Sequence, residues 1–229
     1  DFLKNKDSPS LIVGYKPSKN FNKIRHREPM LSLSNAFTEE DLINFEKKIL
    51  NYLSEKKEFE IEYSAEPKID GISASLSYEN GKFIRGLSRG DGKEGEDITA
   101  NLNTINDIPK IITSKDFPKE IDIRGEVFIQ NSDFEKIKTK FANPRNTASG
   151  SLRQKNSEET KKIPLKFIAY TFGYEKGMVV KTQDEFLKKL EKWGFKTNPF
   201  NKTLKGIKNL MSNYQKIENK RNELDFNID

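Results

Sequence analysis

The sequence contains no cysteine and only one histidine, His26. The absence of cysteine excludes disulfides, thiolate catalysis and cysteine-ligated zinc sites within these 229 residues. A single histidine argues against a histidine-based triad and against a multi-histidine metal site. Any general base is therefore expected to be an aspartate, glutamate, lysine or tyrosine.

Long apolar runs are also missing. No stretch approaches the ~18 consecutive apolar residues of a membrane span, so we expect a cytoplasmic protein without a membrane partner. The first six residues, DFLKNK, include neither an initiator methionine nor the apolar core of a signal peptide. They are typical of an internal start, and the chain is expected to be a fragment of a longer polypeptide.

Charge is abundant and unbalanced. Charged residues make up 33% of the chain, the net charge is +6 and the pI is about 9.2. A basic surplus favours polyanionic partners, with nucleic acid as the first candidate. A lysine-rich composition with solvated side chains and no ligand explains the surplus equally well, and composition alone leaves both open.

The apolar pattern predicts helices mixed with hairpins. Thr38, with Asp41 three positions later, predicts a capped helix that runs to Leu53. Asn80-Gly81 predicts a two-residue hairpin turn. Strands are predicted over 59–63, 72–78, 83–87, 121–129 and 165–172, helices over 132–138, 183–193 and 207–220, and a truncated strand over 224–229. Because regular βαβ alternation is missing, the pattern favours an α+β fold with antiparallel sheets.

One short motif has the residues of a nucleophile site. Lys68-Ile69-Asp70-Gly71 lies between two predicted strands, which would hold the lysine on a rigid turn. A lysine nucleophile must lose its proton, and desolvation or nearby cations can make that possible. Asp70 would hold the ammonium or help to bind a metal, and Gly71 would let the backbone approach a phosphate. Taken alone, the motif is also compatible with a surface turn.

Three further segments combine glycines or small residues with charge. Ser88–Gly92 reads SRGDG, which fits neither a P-loop nor a dinucleotide fingerprint and is also compatible with a flexible loop. Glu126 follows a glycine inside a predicted strand, where glycine often marks close approach of a ligand; an outward-facing charge is the alternative. Residues 141–154 place two arginines around small polar residues, a pattern suited to phosphate recognition.

Together these segments resemble the nucleotidyltransferase, or adenylation, domain of bacterial NAD-dependent DNA ligases. The resemblance covers almost the whole chain and rests on HREPMLSLSN (26–35), EPKIDG (66–71), SRGDGKEGED (88–97), RGEVF (124–128) and FANPRNTASGSLRQ (141–154). It implies an α+β nucleotidyltransferase (ATP-grasp-like) domain of antiparallel sheets flanked by helices. Residues 1–27 would be the tail of an N-terminal NMN-binding subdomain or linker, and 28–229 the adenylation domain, truncated before its last motifs.

The resemblance also implies residue roles. Lys68 would attack the adenylyl phosphate of NAD and become AMP-modified, with Asp70 and Arg89 as its catalytic neighbours. Glu66 would contact the adenine near Ser32 and Leu33. The full set of implied cofactor-binding residues is Ser32, Leu33, Glu66, Lys68, Arg89, Glu126, Arg145, Arg153 and Arg221.

The implied cofactors are NAD and Mg²⁺. The resemblance implies no dedicated metal-ligand residues in this chain, and it implies zinc only in a module that the chain lacks. The implied partners are NAD or AMP and nicked double-stranded DNA, bound by a monomer. AMP would move from the lysine to the 5′-phosphate of the nick, and the 3′-hydroxyl would then displace it. By itself, this chain would hold AMP or the adenosine half of NAD and would not seal DNA.

The sequence departs from the family pattern at three places. Ser34 and Ser88 stand where the family usually has aspartate and threonine. Lys138–Lys140 joins a predicted helix to FANPRN with fewer residues than is usual, so we expect that a loop is missing from the chain at this point.

Two other classes of protein remain open. An ATP-dependent ligase or capping-type enzyme would share the short lysine motif, but residues 141–154 resemble only the NAD-dependent branch. A non-catalytic basic module would bind DNA with strong salt dependence, and the Lys68→Ala substitution would leave its measurable activity unchanged.

Overall fold

The computed structural model describes residues 21–54 and 60–229. The strands are β1 (Lys23–Arg25), β2 (Glu62–Ala65), β3 (Ile72–Glu79), β4 (Lys82–Ser88), β5 (Glu94–Glu96), β6 (Glu120–Ile129), β7 (Leu165–Lys176) and β8 (Lys202–Lys205). The helices are α1 (Glu39–Leu53), α2 (Thr99–Leu102), α3 (Asn131–Phe134), α4 (Pro144–Leu152), α5 (Ser157–Lys161), α6 (Gln183–Lys192) and α7 (Gly206–Asn219). Two 3₁₀ turns cover Lys138–Lys140 and Arg221–Glu223.

The central element is an antiparallel sheet in the order β4-β3-β6-β7. Its first hairpin turns at Asn80 and Gly81, whose φ angles are 48° and 76°. Positive φ at both central residues is what a type I′ turn requires, so the hairpin prediction is confirmed. Two short antiparallel pairs, β1 with β5 and β2 with β8, flank this sheet.

Strand β6 divides the sheet into an apolar face and a polar face. Because successive side chains point to opposite faces of a strand, one face receives Ile121, Ile123 and Val127, all fully buried. The other face receives Asp122, Arg124 and Glu126. Their register partners on β3 are all serines, at positions 77, 75 and 73 respectively. The charged residues of β6 therefore line one surface of the sheet.

The main core lies against the apolar face. Buried side chains of α2, α4 and α6, among them Leu102, Leu152 and Leu190, pack together with the sheet in this core. Fully buried Tyr78 makes edge contacts with Phe117 and Phe195, and its hydroxyl donates to a backbone carbonyl at 2.6 Å. A smaller apolar cluster, formed by Ile69, Phe128, Ile168, Leu224 and Phe226, includes residues of the polar face of β6 and β7.

The predicted antiparallel sheets and helices are confirmed, including the capped start of α1. The Thr38 hydroxyl accepts from the backbone of Asp41, whose carboxylate accepts from the backbone of Thr38. Helix α4 was not predicted, although Asn143 caps it and Pro144 occupies its first turn, which is a recognisable start signal.

Two sequence predictions are wrong. Residues 224–229 do not form a strand, because pairing is limited to one bridge between Ile69 and Ile228. The missing loop near 138–140 is also contradicted. The backbone continues through Lys138–Lys140 as a 3₁₀ turn, in which Lys140 donates to the Ile137 carbonyl and Phe141 to the Lys138 carbonyl.

The predicted preceding segment, 1–27, lies mostly outside the described residues. Its described part includes β1, which pairs with β5, and Phe21, which packs against the main core. The boundary before residue 28 stays a prediction. Among the described residues, no helix is both long and apolar enough to cross a membrane.

The packing against the apolar face predicts a large effect of Leu102→Ala. Leu102 is 0% exposed, and truncating a side chain of this kind typically costs about 2–5 kcal/mol of unfolding free energy. Urea unfolding measures this loss. Val179→Ala is the control, since Val179 is 82% exposed and its truncation should change stability by less than about 0.5 kcal/mol. Equal effects of the two variants would contradict this core.

Candidate active site

Lys68 lies on a turn that is held in place by the end of the described chain. The backbone of Asp70 donates to the Asn227 carbonyl, and the backbone of Asp229 donates to the Lys68 carbonyl, each at 2.8 Å. Between these two bonds, Ile69 bridges to Ile228 and is buried in the smaller apolar cluster. The lysine therefore sits on a braced backbone with its own side chain exposed.

The ammonium of Lys68 is paired with the carboxylate of Asp229. This contact holds the pKa of Asp229 below its usual range. Asp70 was expected to hold the ammonium, but its carboxylate instead pairs with the guanidinium of Arg145, at the start of α4. Two ion pairs thus lie side by side, and together they bring one lysine, one arginine and two carboxylates to the same place.

Glu126 lies next to these pairs on the polar face of β6. Its Oε2 accepts a hydrogen bond from the Ser73 hydroxyl at 2.9 Å. Burial raises the pKa of the Glu126 carboxyl to about 7, while Ser73 and the positive charges of Arg145 and Lys68 lower it. A carboxylate in this position can accept hydrogen bonds from sugar hydroxyls, as the sequence predicted for it.

Tyr170 is a site residue that sequence reasoning missed. Gly125 pairs with Ala169 and Arg124 pairs with Thr171, so Tyr170 is an extra residue in β7, a β-bulge. Bulges re-aim side chains and are frequent beside active sites. Burial and the charge of Glu126 raise the pKa of Tyr170 to about 12. The ring therefore lies near Glu126, where it offers a flat surface.

Glu66 is held away from Lys68 by two donors. The Ser64 hydroxyl donates to its Oε1 at 2.8 Å and the Gln183 amide at 2.9 Å. The same Gln183 amide donates to the backbone carbonyl of Tyr170. Burial raises the pKa of Glu66, and these two donors lower it. Glu66 is thus connected to Tyr170 through one side chain.

Arg89 belongs to an ordered loop rather than to a flexible one. Its carbonyl lies 3.1 Å from Nε2 of His26, which is buried and whose pKa is lowered by that burial. Asp91 accepts two backbone hydrogen bonds within the loop, and Gly90 and Gly92 have φ angles of 57° and 89°. The charge of Arg89 lowers the pKa of Tyr170, so the guanidinium and the ring share one neighbourhood.

Ser32 and Leu33 lie on an exposed strap, defined here as residues 31–36, and Leu33 is 74% exposed. The backbone just before the strap is firmly attached. The guanidinium of Arg27 pairs with Asp122 and Glu120, and that of Arg124 donates to the carbonyls of residues 28 and 29. No contact recorded for the described residues brings the strap to Lys68.

Two predicted arginines have partners of their own. Arg153 binds buried Glu96 through Nε at 3.0 Å and Ser149 through a terminal nitrogen. Arg221 donates to the Ile228 carbonyl at 2.7 Å, and its charge lowers the pKa of Asp229. Arg221 therefore lies with the Lys68 group, whereas Arg153 is bound to Glu96 and Ser149. A polar cavity of about 290 Å³ lies beside Asp70 and Arg221.

The two glycines of the motifs are each required by a neighbouring strand. A Cβ on Gly71 would lie 2.4 Å from the Val127 carbonyl oxygen, and one on Gly125 would lie 2.2 Å from the Phe167 ring. The approach of a phosphate to Gly71 and of a ligand to Gly125 stays a prediction.

The assembled residues define a class of site. A lysine is paired with one carboxylate and an arginine with another, a second arginine lies nearby, and a carboxylate and an aromatic ring follow on the adjoining strands. This arrangement can hold a nucleotide by its phosphate, sugar and base while presenting an amine to the phosphate. Groups of three or more potential metal ligands do not occur within residues 21–54 and 60–229.

Comparison with known proteins identifies the family. The model of the NAD-dependent DNA ligase adenylation domain matches residues 18–229. The DNA ligase of Pelagibacter ubique is 70% identical over 228 residues, which cover 100% of this chain and 34% of that protein. The DNA ligase of Mesorhizobium japonicum is 45% identical over 235 residues, with coverages of 99% and 32%. The chain belongs to the NAD-dependent DNA ligase adenylation domain family and spans about a third of the length of these relatives.

The alignment lengths agree with the continuous turn at 138–140. The Pelagibacter alignment needs 228 positions for a chain of 229 residues, so that ligase has no long insertion relative to this chain. The Mesorhizobium alignment needs 235 positions for 99% of the chain. Over the matched region, this chain is therefore slightly shorter than the Mesorhizobium ligase.

The raised pKa of Glu126 predicts a pH-dependent stability difference. Its value in the folded protein, about 7, exceeds the ordinary 4.5. The stability that protonated Glu126 contributes is therefore complete below pH 4.5 and is lost as the pH rises through 7. Glu126→Gln never ionises, so it should be more stable than wild type at pH 8, by roughly 1–3 kcal/mol, and nearly equal at pH 5.

Urea unfolding at the two pH values measures this difference. Glu79→Gln is the matched control, because Glu79 is an exposed carboxylate at the end of β3. A Glu126→Gln variant that is less stable than wild type at pH 8 would contradict the buried position of this carboxyl group.

Proposed function

We propose that this chain binds the adenylyl half of NAD and presents Lys68 to its phosphate, as the first step of DNA ligation. The observation that carries this proposal is the convergence of Lys68, Asp70, Arg145 and Glu126 beside the bulged Tyr170. Family membership supports it independently. The ATP-grasp-like description of the fold and the individual residue roles belong to the same proposal.

In this proposal the Lys68 amine forms a bond to the adenylyl phosphorus of NAD. The bond from that phosphorus to the bridging oxygen breaks, and nicotinamide mononucleotide leaves with the electron pair. The ammonium must first lose its proton, and the carboxylate of Asp229, which is paired with it, is in position to accept that proton. The positive charge of Arg145 would favour the neutral amine and would bind the substrate phosphate beside it.

The nucleoside is held by the neighbouring strands. Glu126 accepts hydrogen bonds from the ribose hydroxyls, and the ring of Tyr170 provides an apolar surface for the base. Glu66, Ser32 and Leu33 would contact the base edge, which requires the exposed strap to move toward the site. Arg89, close to Tyr170, would face the phosphate.

Mg²⁺ fits the site as an ion bound mainly by the substrate. Magnesium usually takes one or two carboxylates, several waters and substrate phosphates rather than a protein cage. Asp70 is a suitable carboxylate, because it lies beside Arg145 in the Lys68 group. The ion would neutralise charge on the transferring phosphoryl group.

Nicked double-stranded DNA is the proposed acceptor of AMP. The net charge of +6 favours a polyanion, and Arg145 and Arg221 lie on the Lys68 side of the sheet. In the complete enzyme, the 5′-phosphate of the nick would take AMP from Lys68 and the 3′-hydroxyl would displace it. We propose a cytoplasmic monomer, because every residue of the candidate site comes from one chain.

The test is the intact mass after incubation with NAD and Mg²⁺. We expect full-length ligase to gain one AMP, Lys68→Ala to gain none, and Lys202→Ala, an exposed lysine on β8, to behave as wild type. ATP in place of NAD should give no gain, which separates this family from ATP-dependent enzymes. An unmodified full-length enzyme would contradict the mechanism.

The same experiment on the 229-residue chain has a different meaning. A gain of AMP would show that these residues suffice for the first step. Failure to gain AMP, together with measurable binding of AMP, would assign the nicotinamide half of NAD to another part of the enzyme. A chain that binds neither NAD nor AMP would contradict the proposed site itself.

DNA binding is expected to depend on Arg221. Removing one phosphate contact should weaken nicked-DNA binding and reduce the slope of log K against log salt by about 1. Lys188→Ala is the control, because Lys188 lies on α6, which packs against the opposite, apolar face. Fluorescence anisotropy at salt concentrations on the order of 0.1 M measures the slope for each variant. Equal slopes for the two variants would overturn this DNA-binding surface.

A further inference from the structure

Three adjacent strands bring a serine, a glutamate and a tyrosine together on the polar face of the sheet. Ser73 on β3 is the register partner of Glu126 on β6, and its hydroxyl donates to Oε2 of that carboxylate at 2.9 Å. Tyr170, the bulge residue of β7, lies on the other side, close enough for the Ser73 hydroxyl to lower its pKa. The Ser73 hydroxyl thus lies close to both groups proposed for the ribose and the base.

The direction of the hydrogen bonds follows from the chemistry of the three groups. A serine hydroxyl has one proton to donate and lone pairs that accept. Because its proton goes to Glu126, Ser73 has no second proton to donate to Tyr170. The carboxylate of Glu126 therefore has one oxygen, Oε2, fixed by Ser73 and its other oxygen available to a ligand.

The burial of Glu126 makes this single donor important. A buried carboxylate needs donors to remain ionised, and removing one leaves an acceptor with a large desolvation penalty. The other groups that act on Glu126 are the cations of Arg145 and Lys68, which favour its ionisation, and the anion of Asp70, which opposes it. Both cations have carboxylate partners of their own, Asp70 and Asp229. Ser73 is the one recorded hydrogen-bond donor to this carboxylate within the described residues.

We propose that Ser73 is a positioning residue of the nucleoside site, which holds Glu126 ionised and oriented so that its free oxygen accepts a hydrogen bond from a ribose hydroxyl. This inference rests on the proposed function, because it assumes that Glu126 faces the sugar. It goes further in making recognition of a ribonucleoside depend on a residue that does not touch the ligand. It also makes that recognition depend on pH.

Adenosine is the probe that isolates this contact. It has both ribose hydroxyls but no phosphate, so its own charge stays constant over the relevant pH range. Wild-type affinity should fall as the pH decreases through about 7, because a protonated Glu126 accepts a hydrogen bond more weakly than the carboxylate does. In Ser73→Ala the midpoint should move to higher pH, with affinity at pH 6.5 reduced about tenfold and affinity at pH 8.5 reduced less than about twofold.

Two variants and one analogue of adenosine complete the experiment. Calorimetry measures each affinity at pH values between about 5.5 and 8.5, a range of roughly three pH units that includes the midpoint of Glu126. Ser73→Thr retains the hydroxyl and should restore the wild-type midpoint. Ser77→Ala is the matched control, because Ser77 donates to Asp122 from the same strand and face at 2.6 Å. Its midpoint should not move. 2′,3′-Dideoxyadenosine, which lacks the hydroxyls, should bind more weakly and without the pH dependence.

The outcomes separate this inference from the proposed function. Failure of wild type to bind adenosine at any pH would overturn both. Binding with the same midpoint in wild type and Ser73→Ala would overturn the role of Ser73 alone. An equal shift in Ser77→Ala would show a general effect of strand β3 and would also overturn it. If Ser73→Ala does not fold, Ser73→Cys, a weaker donor of similar size, should give an intermediate midpoint.

Discussion

The candidate site depends on the alternation of strand β6. The strand packs against the core through Ile121, Ile123 and Val127. Because side chains alternate along a strand, this packing places Asp122, Arg124 and Glu126 on the opposite face. A shift of one residue would send three charges into the core and three apolar side chains to the surface. The hydrophobic effect therefore fixes the position of the charged groups, although none of them contributes to the core.

The three charged residues of β6 have different partners on the polar face of the sheet. Asp122 and Arg124 hold the backbone before the exposed strap, through Arg27 and through two carbonyl groups. Glu126 lies beside the ion pairs of Lys68 and Arg145. One strand thus sets both the attachment of the strap and the position of Glu126, so the distance between them is determined by the spacing of residues in an extended chain, about 3.4 Å each.

Much of this fold could be predicted from the sequence, and the reasons are local. The Asn80-Gly81 turn and the capped start of α1 depend on a few neighbouring residues, and the structure contains both. Lys68 and Glu126 could be proposed as site residues because glycines flank them. The roles of those glycines could not be predicted, because the groups that approach Gly71 and Gly125 belong to strands distant in the sequence.

The residues that sequence reasoning missed share a dependence on register. Tyr170 lies within an apolar run that predicts a plain strand, and only pairing with β6 reveals it as an extra residue. Ser73 is one of three serines that alternate along β3, and nothing in their spacing shows which of them lies opposite Glu126. Asp229 is 161 positions from Lys68, a separation that no local pattern bridges.

The bulge at Tyr170 has a consequence for how such a site can change. Since Ala169 and Thr171 pair with Gly125 and Arg124, which are neighbours in β6, the strand pairing passes over Tyr170. A residue within a paired strand is constrained by its own packing and by backbone pairing with the next strand. Tyr170 is free of the second constraint, so a substitution at this position should change the surface beside Glu126 while leaving the pairing of β6 with β7 intact.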